Sequence, residues 1–255
     1  MKIVIKVGTS TLAHSTGRLN IRHVEELVKV LSDLKNAGHQ VILVSSGAIG
    51  MGVGKLNLPG RPADMPTKQA AAAVGQCELM YTYDRLFAQY NHTVAQILLT
   101  GEDVDHEDRR INFENTMSRL LELGVLPVIN ENDTVATAEI KVGDNDTLGA
   151  IVATCVGADL LVLLSDIDGL YTADPHKDPA AALIPVVESI TPEVEALAGG
   201  KGSELGTGGM ATKLRAAKMV TEQGCDMVIT NGEYPELLYD IVAGKPVGTR
   251  FVGKN

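Results

Sequence analysis

The sequence is poor in aromatic residues and in cysteine. Its 255 residues include no tryptophan, three phenylalanines and six tyrosines. A core must therefore be built from aliphatic side chains, as in parallel sheets that are covered by helices on both faces. The three cysteines, Cys77, Cys155 and Cys225, are far apart and form no C-x-x-C pair. They predict buried structural thiols rather than a redox or zinc site.

Long apolar runs are missing as well. The longest one, at 148–164, is interrupted by Asp159, so we expect no membrane-spanning helix. The opening segment M-K-I-V-I-K-V-G has too short an apolar run for a signal peptide and is typical of a strand. Together with the unpaired cysteines, these features predict a cytoplasmic protein.

Positive charge is scarce, since the 22 Lys and Arg residues are outnumbered by 32 Asp and Glu residues and the net charge is −10. Non-specific attraction to nucleic acid is therefore not expected, although a local group of lysines can still attract a small anionic substrate. The six histidines show no metal-ligand spacing, which argues against a zinc site. No G-x-S-x-G motif occurs, so serine hydrolase chemistry has no support.

Apolar runs typical of strands alternate with helical patterns along the chain. This alternation predicts an α/β fold of right-handed β-α-β units, with a mostly parallel sheet between helices. Two stretches are rich in glycine or proline and predict loops, at 45–54 and at 54–66. The apolar residues of 175–205 show only a weak periodic pattern. We expect strands at 2–7, 40–44, 93–100, 125–129, 159–164 and 226–230, and helices at about 20–38, 67–90, 112–123, 147–156, 210–223 and 235–243.

The most polar segment of the chain lies at 130–146 and follows a predicted strand. Its 17 residues contain five carboxylates, three asparagines and one lysine. One interpretation is a solvated acidic loop. The other is a recognition loop for a group that carries an ammonium or for a metal, and the segment alone leaves both open.

Glycine-containing turns next to lysine occur twice. Lys6 precedes Gly8 at the end of the first predicted strand, and Lys213 closes the motif G-T-G-G-M-A-T-K at 206–213. Backbone amides, a helix N-terminus and an ammonium group together suit a phosphate. The spacing is not that of a P-loop, and the glycines at 50 and 52 lack the third glycine of a dinucleotide-binding motif. Two such lysines beside an acidic loop indicate phosphoryl transfer, with acids that hold the lysines in place or hold magnesium through water.

Five motifs, in this order, resemble the glutamate 5-kinases of the amino acid kinase family. They are K-V-G-T-S, V-S-S-G-A-I, V-I-N-E-N-D-T-V-A-T-A-E-I-K-V-G-D-N-D, Y-T-A-D-P and G-T-G-G-M-A-T-K. The resemblance spans essentially the whole chain and implies a three-layer αβα sandwich. It also implies one catalytic domain at 1–255 and ATP-dependent phosphorylation of the side-chain carboxylate of L-glutamate. The product would be L-glutamyl 5-phosphate, in the first step of L-proline biosynthesis.

The resemblance also implies roles for individual residues. Lys6 and Lys213 would stabilise the transferring phosphoryl group, and Asp146 would orient both lysines. Asp133 would pair with the substrate ammonium and Asn145 with its α-carboxylate. Glutamate would be bound by Ser46, Asp133 and Asn145, with Asp144 nearby. ATP would be bound by Lys6, Gly8, Ser165, Asp166, Thr207, Gly208, Gly209, Met210, Ala211, Thr212 and Lys213. The implied cofactor is Mg²⁺ carried by the ATP phosphates, with no protein ligand assigned to it directly.

Partners follow from the same resemblance. We expect proline to act as a feedback inhibitor, the chain to form a homo-oligomer, and the reaction to be functionally coupled to a glutamyl phosphate reductase, while direct transfer of the product stays open. Many glutamate 5-kinases continue into a C-terminal PUA domain; we expect none here, and we do not expect catalysis to need it.

Two alternatives stay open. One is another member of the family, acting on acetylglutamate, aspartate, carbamate or UMP; the absence of arginine from 130–146 argues against a nucleotide acceptor. The other is a non-catalytic sensor of amino acids or nucleotides. The presence of both Lys6 and Lys213 argues against a sensor.

Overall fold

The computed structural model describes residues 1–14, 16, 18–136, 144–175, 177–198 and 209–254. Within these ranges strands and helices alternate along most of the chain. The strands are β1 (Lys2–Val7), β2 (Gln40–Ser45), β3 (Val94–Leu99), β4 (Leu126–Glu131), β5 (Leu160–Ser165), β6 (Val186–Val187), β7 (Asp226–Asn231) and β8 (Thr249–Phe251). The helices are α1 (Thr9–Leu12), α2 (Ile21–Asn36), α3 (Ala48–Lys55), α4 (Met65–Ala88), α5 (Gly101–Asp105), α6 (Glu107–Glu122), α7 (Asn145–Val156), α8 (Pro192–Leu197), α9 (Met210–Thr221) and α10 (Leu237–Val242).

The strands form one sheet in the order β3-β4-β2-β1-β5-β7-β8-β6. Strand pairs are parallel except for β7 and β8, which run antiparallel. In the centre, Val7 of β1 is in register with Ser45 of β2 and with Leu164 of β5. Helices cover both faces, which confirms the predicted αβα architecture. Because the strand order reverses around β1, the carboxyl ends of β1, β2 and β5 open into a crevice where ligands bind in such sheets.

Side-chain alternation along β1 determines which helical layer each residue contacts. Ile3, Ile5 and Val7 belong to the apolar core under α2, α4 and α10. Val4 belongs to the core under α6, α7 and α9. Since side chains alternate along a strand, Lys6 shares the face of Val4. The sequence of this strand therefore directs a lysine towards α7 and α9.

The stretch at 45–54, predicted as a glycine loop, is the end of β2 followed by helix α3. Its glycines allow α3 to pack closely against α4. A Cβ atom on Gly52 would lie 1.8 Å from the carbonyl oxygen of Ala71, and one on Gly75 would lie 1.7 Å from that of Ala48. Glycine lowers intrinsic helix propensity, so tertiary packing stabilises this helix against its local sequence preference.

Other differences from the predictions have similar causes. Helix α6 begins at Glu107, whereas the sequence predicted a start near 112. The prediction missed the first turn because that turn is polar and has no apolar pattern. The short elements α5, α8, β6 and β8 were too brief to give a periodic signal. Cys225 is buried as predicted, but Cys77 is exposed on α4, so that prediction was wrong. Among the described residues, no helix is both long enough and apolar enough to cross a membrane.

Candidate active site

A cleft of about 920 Å³ lies at the carboxyl ends of β1, β2, β4 and β5. Strand ends and helix starts supply its walls, as expected for an open parallel sheet. The structure brings most of the predicted site residues together here: Lys6, Gly8, Ser46, Asp133, Asp144, Asn145, Asp146, Ser165, Asp166 and Lys213. Gly209, Met210, Ala211 and Thr212 belong to the first turn of α9 and its cap, beside the cleft. Thr207 and Gly208 lie outside the described residues.

The centre of the cleft is an ion-pair cluster of three buried residues. Asp146, in the first turn of α7, is 0% exposed, while Lys213 is 4% and Lys6 is 9% exposed. Lys213 Nζ donates to Asp146 Oδ2 at 2.9 Å. Lys6 Nζ forms an ion pair with Asp146 Oδ1 at 2.6 Å. The hydroxyl of Thr212 lies 3.3 Å from Asp146 Oδ2, but its shorter contact is to the carbonyl oxygen of Gly209 at 2.7 Å.

Three separate elements meet in this cluster. Lys6 extends from β1 on the face covered by α7 and α9. Gly149 of α7 lies against it, since a Cβ atom there would be 3.4 Å from Lys6 Cβ. Lys213 extends from the first turn of α9. The two ammonium groups are therefore held on either side of one carboxylate.

The charge state of Asp146 follows from its surroundings. Burial alone would raise the pKa of this carboxyl, but the ammonium groups of Lys6 and Lys213 outweigh burial and hold its pKa below the ordinary value of 3.8. At neutral pH Asp146 is therefore ionised, with a lysine side chain on each of its two oxygens. The net positive charge of the cluster faces a cleft that otherwise contains several acids.

A second, uncharged group of side chains lies on the other side of Asp146. Asn145 Nδ2 donates to Ser46 Oγ at 2.6 Å, to the carbonyl oxygen of Ser45 at 3.2 Å and to Asn130 Oδ1 at 3.2 Å. Asn130 Nδ2 donates in turn to Gln76 Oε1 of helix α4 at 2.9 Å. We call Gln76, Asn130 and Asn145 the amide relay. It links the core-facing side of α4 to the wall of the cleft.

Helix α4 supports the site at a second point. Tyr83 and Gln76 are two turns apart on one face of α4, and the Tyr83 hydroxyl lies 2.9 Å from Ser45 Oγ. Burial raises the pKa of Tyr83 well above its ordinary value. Its hydroxyl therefore stays protonated and fixes the end of β2, directly before Ser46.

Asp144 lines the cleft, but its carboxylate has structural partners. It caps helix α7 by accepting from the Thr147 backbone N–H at 2.8 Å and from the Thr147 hydroxyl at 2.9 Å. An N-cap of this kind stabilises a helix by about 1 kcal/mol. Asp144 therefore fixes the start of α7, and with it the positions of Asn145 and Asp146.

The pair predicted at the end of β5, which the resemblance assigns to ATP, also lines the cleft. Ser165 Oγ donates to Asp166 Oδ1 at 3.0 Å, and Ser165 is buried. Asp168 follows, where it accepts from Asn231 Nδ2 at 2.8 Å and from the Tyr171 hydroxyl at 3.1 Å. These contacts hold the turn after β5 against the end of β7.

Several residues in or next to the cleft have no role in the sequence predictions. Gln76 belongs to no motif, since a single amide in a helix has no spacing to detect, and Asn130 lies in the polar segment at 130–146 without a role of its own. Arg61 also lines the cleft, from the loop between α3 and α4. The prolines and glycines of that loop predict its irregular backbone, but they do not indicate that the loop lines the cleft.

Comparisons with known proteins agree with this arrangement. Residues 1–231 match the sequence profile of the amino acid kinase family. A glutamate 5-kinase of Clostridium acetobutylicum is 55% identical over 254 residues, with 100% of this chain and 95% of that protein covered. One of Clostridium tetani is 57% identical over 249 residues, with 98% and 93% covered.

A solved structure shares the fold at much lower identity. Carbamate kinase from Giardia lamblia, bound to AMP-PNP, superposes with a TM-score of 0.72 over 99% of this chain and 98% of that chain, at 18% identity. Such a likeness shows the αβα architecture alone. On the match to the family profile and the identity to curated relatives, the chain belongs to the amino acid kinase family, among the glutamate 5-kinases.

Proposed function

We propose that the protein transfers the γ-phosphoryl group of ATP to the side-chain carboxylate of L-glutamate, giving L-glutamyl 5-phosphate in the first step of L-proline biosynthesis. The observation that carries this proposal is the position of the Lys6–Asp146–Lys213 cluster beside Ser46 and Asn145 in one cleft. The relatives of high identity support glutamate as the acceptor.

The chemistry requires no general base in the protein. A glutamate side chain has a pKa of about 4.3, so it is already a carboxylate at neutral pH. One of its oxygens bonds to the γ-phosphorus while the bond from phosphorus to the bridging β-γ oxygen breaks, and ADP leaves with the electron pair. Charge spreads over the phosphoryl oxygens as this happens, and the ammonium groups of Lys6 and Lys213 stabilise it.

Asp146 has an indirect part in this step. Both of its oxygens contact lysine ammonium groups, so the carboxylate fixes their positions before substrate arrives. Groups held in place beforehand need no reorganisation as charge develops, which is the main source of such electrostatic stabilisation. The cluster as a whole stays positive towards the phosphates.

Magnesium would enter with the nucleotide. Among the described residues, no group of three or more His, Cys, Asp or Glu side chains has the arrangement of a metal site. Asp146 is paired with the two lysines, so the nucleotide itself would hold the ion. Magnesium would supply positive charge that partly neutralises the phosphates, while Lys6 and Lys213 meet the transferring group.

The acceptor screen is the direct test. ATP turnover is measured with magnesium and L-glutamate, L-aspartate, N-acetyl-L-glutamate, carbamate or UMP, and hydroxylamine traps any acyl phosphate as its hydroxamate. We expect hydroxamate and ADP with L-glutamate. Turnover with L-aspartate or UMP and none with L-glutamate would refute the proposal.

Further expectations rest on the family rather than on the geometry. We propose that proline inhibits by competing with glutamate, that the chain forms a homo-oligomer in the cytoplasm, and that the labile product passes to a glutamyl phosphate reductase. The single catalytic domain at 1–255 also stays a prediction. Initial rates at rising proline test the first of these, since unchanged activity at high proline would contradict it.

A further inference from the structure

We infer that Gln76 is a positioning residue for substrate selection. Through Asn130 it fixes the orientation of the Asn145 amide, so that the Asn145 carbonyl oxygen faces the cleft and accepts from the α-ammonium group of the substrate. This inference rests on the proposed function, because it assigns the acceptor's ammonium to a particular atom of the site.

Hydrogen-bond directions determine how the Asn145 amide is turned. The backbone carbonyl oxygen of Ser45 can only accept, so the Asn145 atom 3.2 Å away from it must be the nitrogen. That nitrogen has two hydrogens, and three acceptors already surround it: Ser45 O, Ser46 Oγ and Asn130 Oδ1. The oxygen of Asn145 is therefore the atom left for the cleft, which this residue lines.

The orientation of the Asn130 amide group follows from the same hydrogen-bond rules. Its Oδ1 accepts from the backbone N–H of Glu131 at 2.9 Å, so its Nδ2 must be the atom that meets Gln76 Oε1. Asn130 is only 2% exposed, and buried polar groups of this kind are nearly always hydrogen-bonded. Without the acceptor on Gln76, the Asn130 amide group would be buried with an unsatisfied donor and would favour another orientation.

The two polar atoms of the Gln76 side chain differ in their hydrogen bonding, since Oε1 accepts from Asn130. Gln76 is 7% exposed, and none of the described residues accepts from its Nε2. A buried donor without a partner costs about 1–3 kcal/mol, so a glutamine at this position is a poor choice for stability alone. Its useful atom is Oε1, which holds Asn130 in place.

This orientation has a chemical consequence for the substrate. A carbonyl oxygen repels a carboxylate and accepts from an ammonium group, so Asn145 faces the amino group rather than the α-carboxylate expected from the sequence. The Ser46 hydroxyl accepts from Asn145 and keeps its own hydrogen to donate, which suits a carboxylate oxygen. The relay thus favours amino acids with a free ammonium group over the corresponding dicarboxylic acid.

The test compares L-glutamate with glutarate, which keeps both carboxylates and lacks the ammonium group. For Gln76→Met we expect the KM for L-glutamate to rise about tenfold, from the loss of one buried hydrogen bond, with kcat nearly unchanged. The inhibition constant of glutarate against L-glutamate should stay close to its wild-type value. Gln76→Glu keeps an acceptor oxygen for Asn130 and should restore the low KM.

Leu79→Ala is the matched control. Leu79 is fully buried one turn further along α4, so its truncation removes packing without touching the relay. It should lower the melting temperature and leave the KM for L-glutamate unchanged. If Gln76→Met does not fold, Asn130→Ala breaks the middle of the relay and is judged by the same constants.

The outcomes separate this inference from the proposed function. No phosphorylation of L-glutamate by the wild-type protein refutes the function. A wild-type enzyme with activity and a Gln76→Met variant with unaltered KM would overturn the relay. Equal increases in KM for Gln76→Met and Leu79→Ala would also overturn it, because KM would then respond to any loss of packing in α4 and not to the relay.

Discussion

The two sides of the cleft recognise their ligands by different physics. On one side, Lys6, Asp146 and Lys213 form a buried cluster of full charges. On the other side, the amide relay is neutral and acts through the direction of its hydrogen bonds. Charge at short range stabilises any phosphoryl group, whereas a fixed set of donors and acceptors distinguishes one acceptor from another. Under the proposed function, this difference would let one site transfer phosphate and still select its substrate.

The start of helix α7 joins the two sides. Asn145 belongs to the relay and Asp146 contacts the lysines, although they are neighbours in the chain. The Asp144 cap fixes both at once. Variants that affect one side and leave the other intact therefore test the comparison.

The largest effect is expected for Asp146→Asn. It leaves two buried ammonium groups without their shared carboxylate, and breaking a buried ion pair of this kind costs about 3–5 kcal/mol. We expect kcat to fall by about a thousandfold, as for loss of a preorganised electrostatic group. Asp240→Asn, at an exposed pair with Lys245, is the control and should leave kcat unchanged.

Lys213→Ala should affect the phosphoryl side alone. We expect kcat to fall by about a hundredfold or more, since one of two stabilising charges is lost, while the KM for L-glutamate changes little. Lys218→Ala on the same helix removes an exposed partner of Glu195 and should be close to wild type. A rise in KM with normal kcat for Lys213→Ala would place this lysine on the acceptor side.

Asp133→Ala should affect the acceptor side alone. By resemblance Asp133 pairs with the substrate ammonium, so we expect the KM for L-glutamate to rise by about tenfold to a hundredfold, as for loss of a charged hydrogen bond. Steady-state kinetics at saturating ATP should show kcat within a few-fold of wild type. A fall in kcat with an unchanged KM would contradict the role of Asp133 in binding the substrate ammonium.

The smallest effect concerns acid stability. The folded pKa of Asp146 is lowered, so its ionised form stabilises the fold above the ordinary pKa of 3.8, and this contribution is lost as the pH falls through the folded pKa. The difference in free energy of unfolding between wild type and Asp146→Asn should therefore be constant from pH 7 to about pH 5 and shrink only in stronger acid. Denaturant unfolding at a series of pH values measures it. A difference that already declines at pH 6 would contradict the assignment.

The six longer strands and the two lysines of the charged cluster were predictable because they leave a local signal, whereas the role of Asp146 came from the family resemblance alone. β-Branched runs predict strands, and the turn after β1 together with the 206–213 motif indicated Lys6 and Lys213 as a phosphate-binding pair. Helix α3 was missed because close packing against α4 overrides the low helix propensity of its glycines. The relay was missed because Gln76 and Asn130 are 54 residues apart, and their contact exists only after α4 has packed on the sheet.

The most direct test of the two-sided site is one pair of variants measured side by side. For Lys213→Ala and Asp133→Ala, kcat and the KM for L-glutamate are determined under the same conditions at saturating MgATP. We expect Lys213→Ala to lower kcat with KM nearly constant, and Asp133→Ala to raise KM with kcat nearly constant. The same combined change in kcat and KM for both variants would contradict the division of the cleft into a charged side and an acceptor-selecting side.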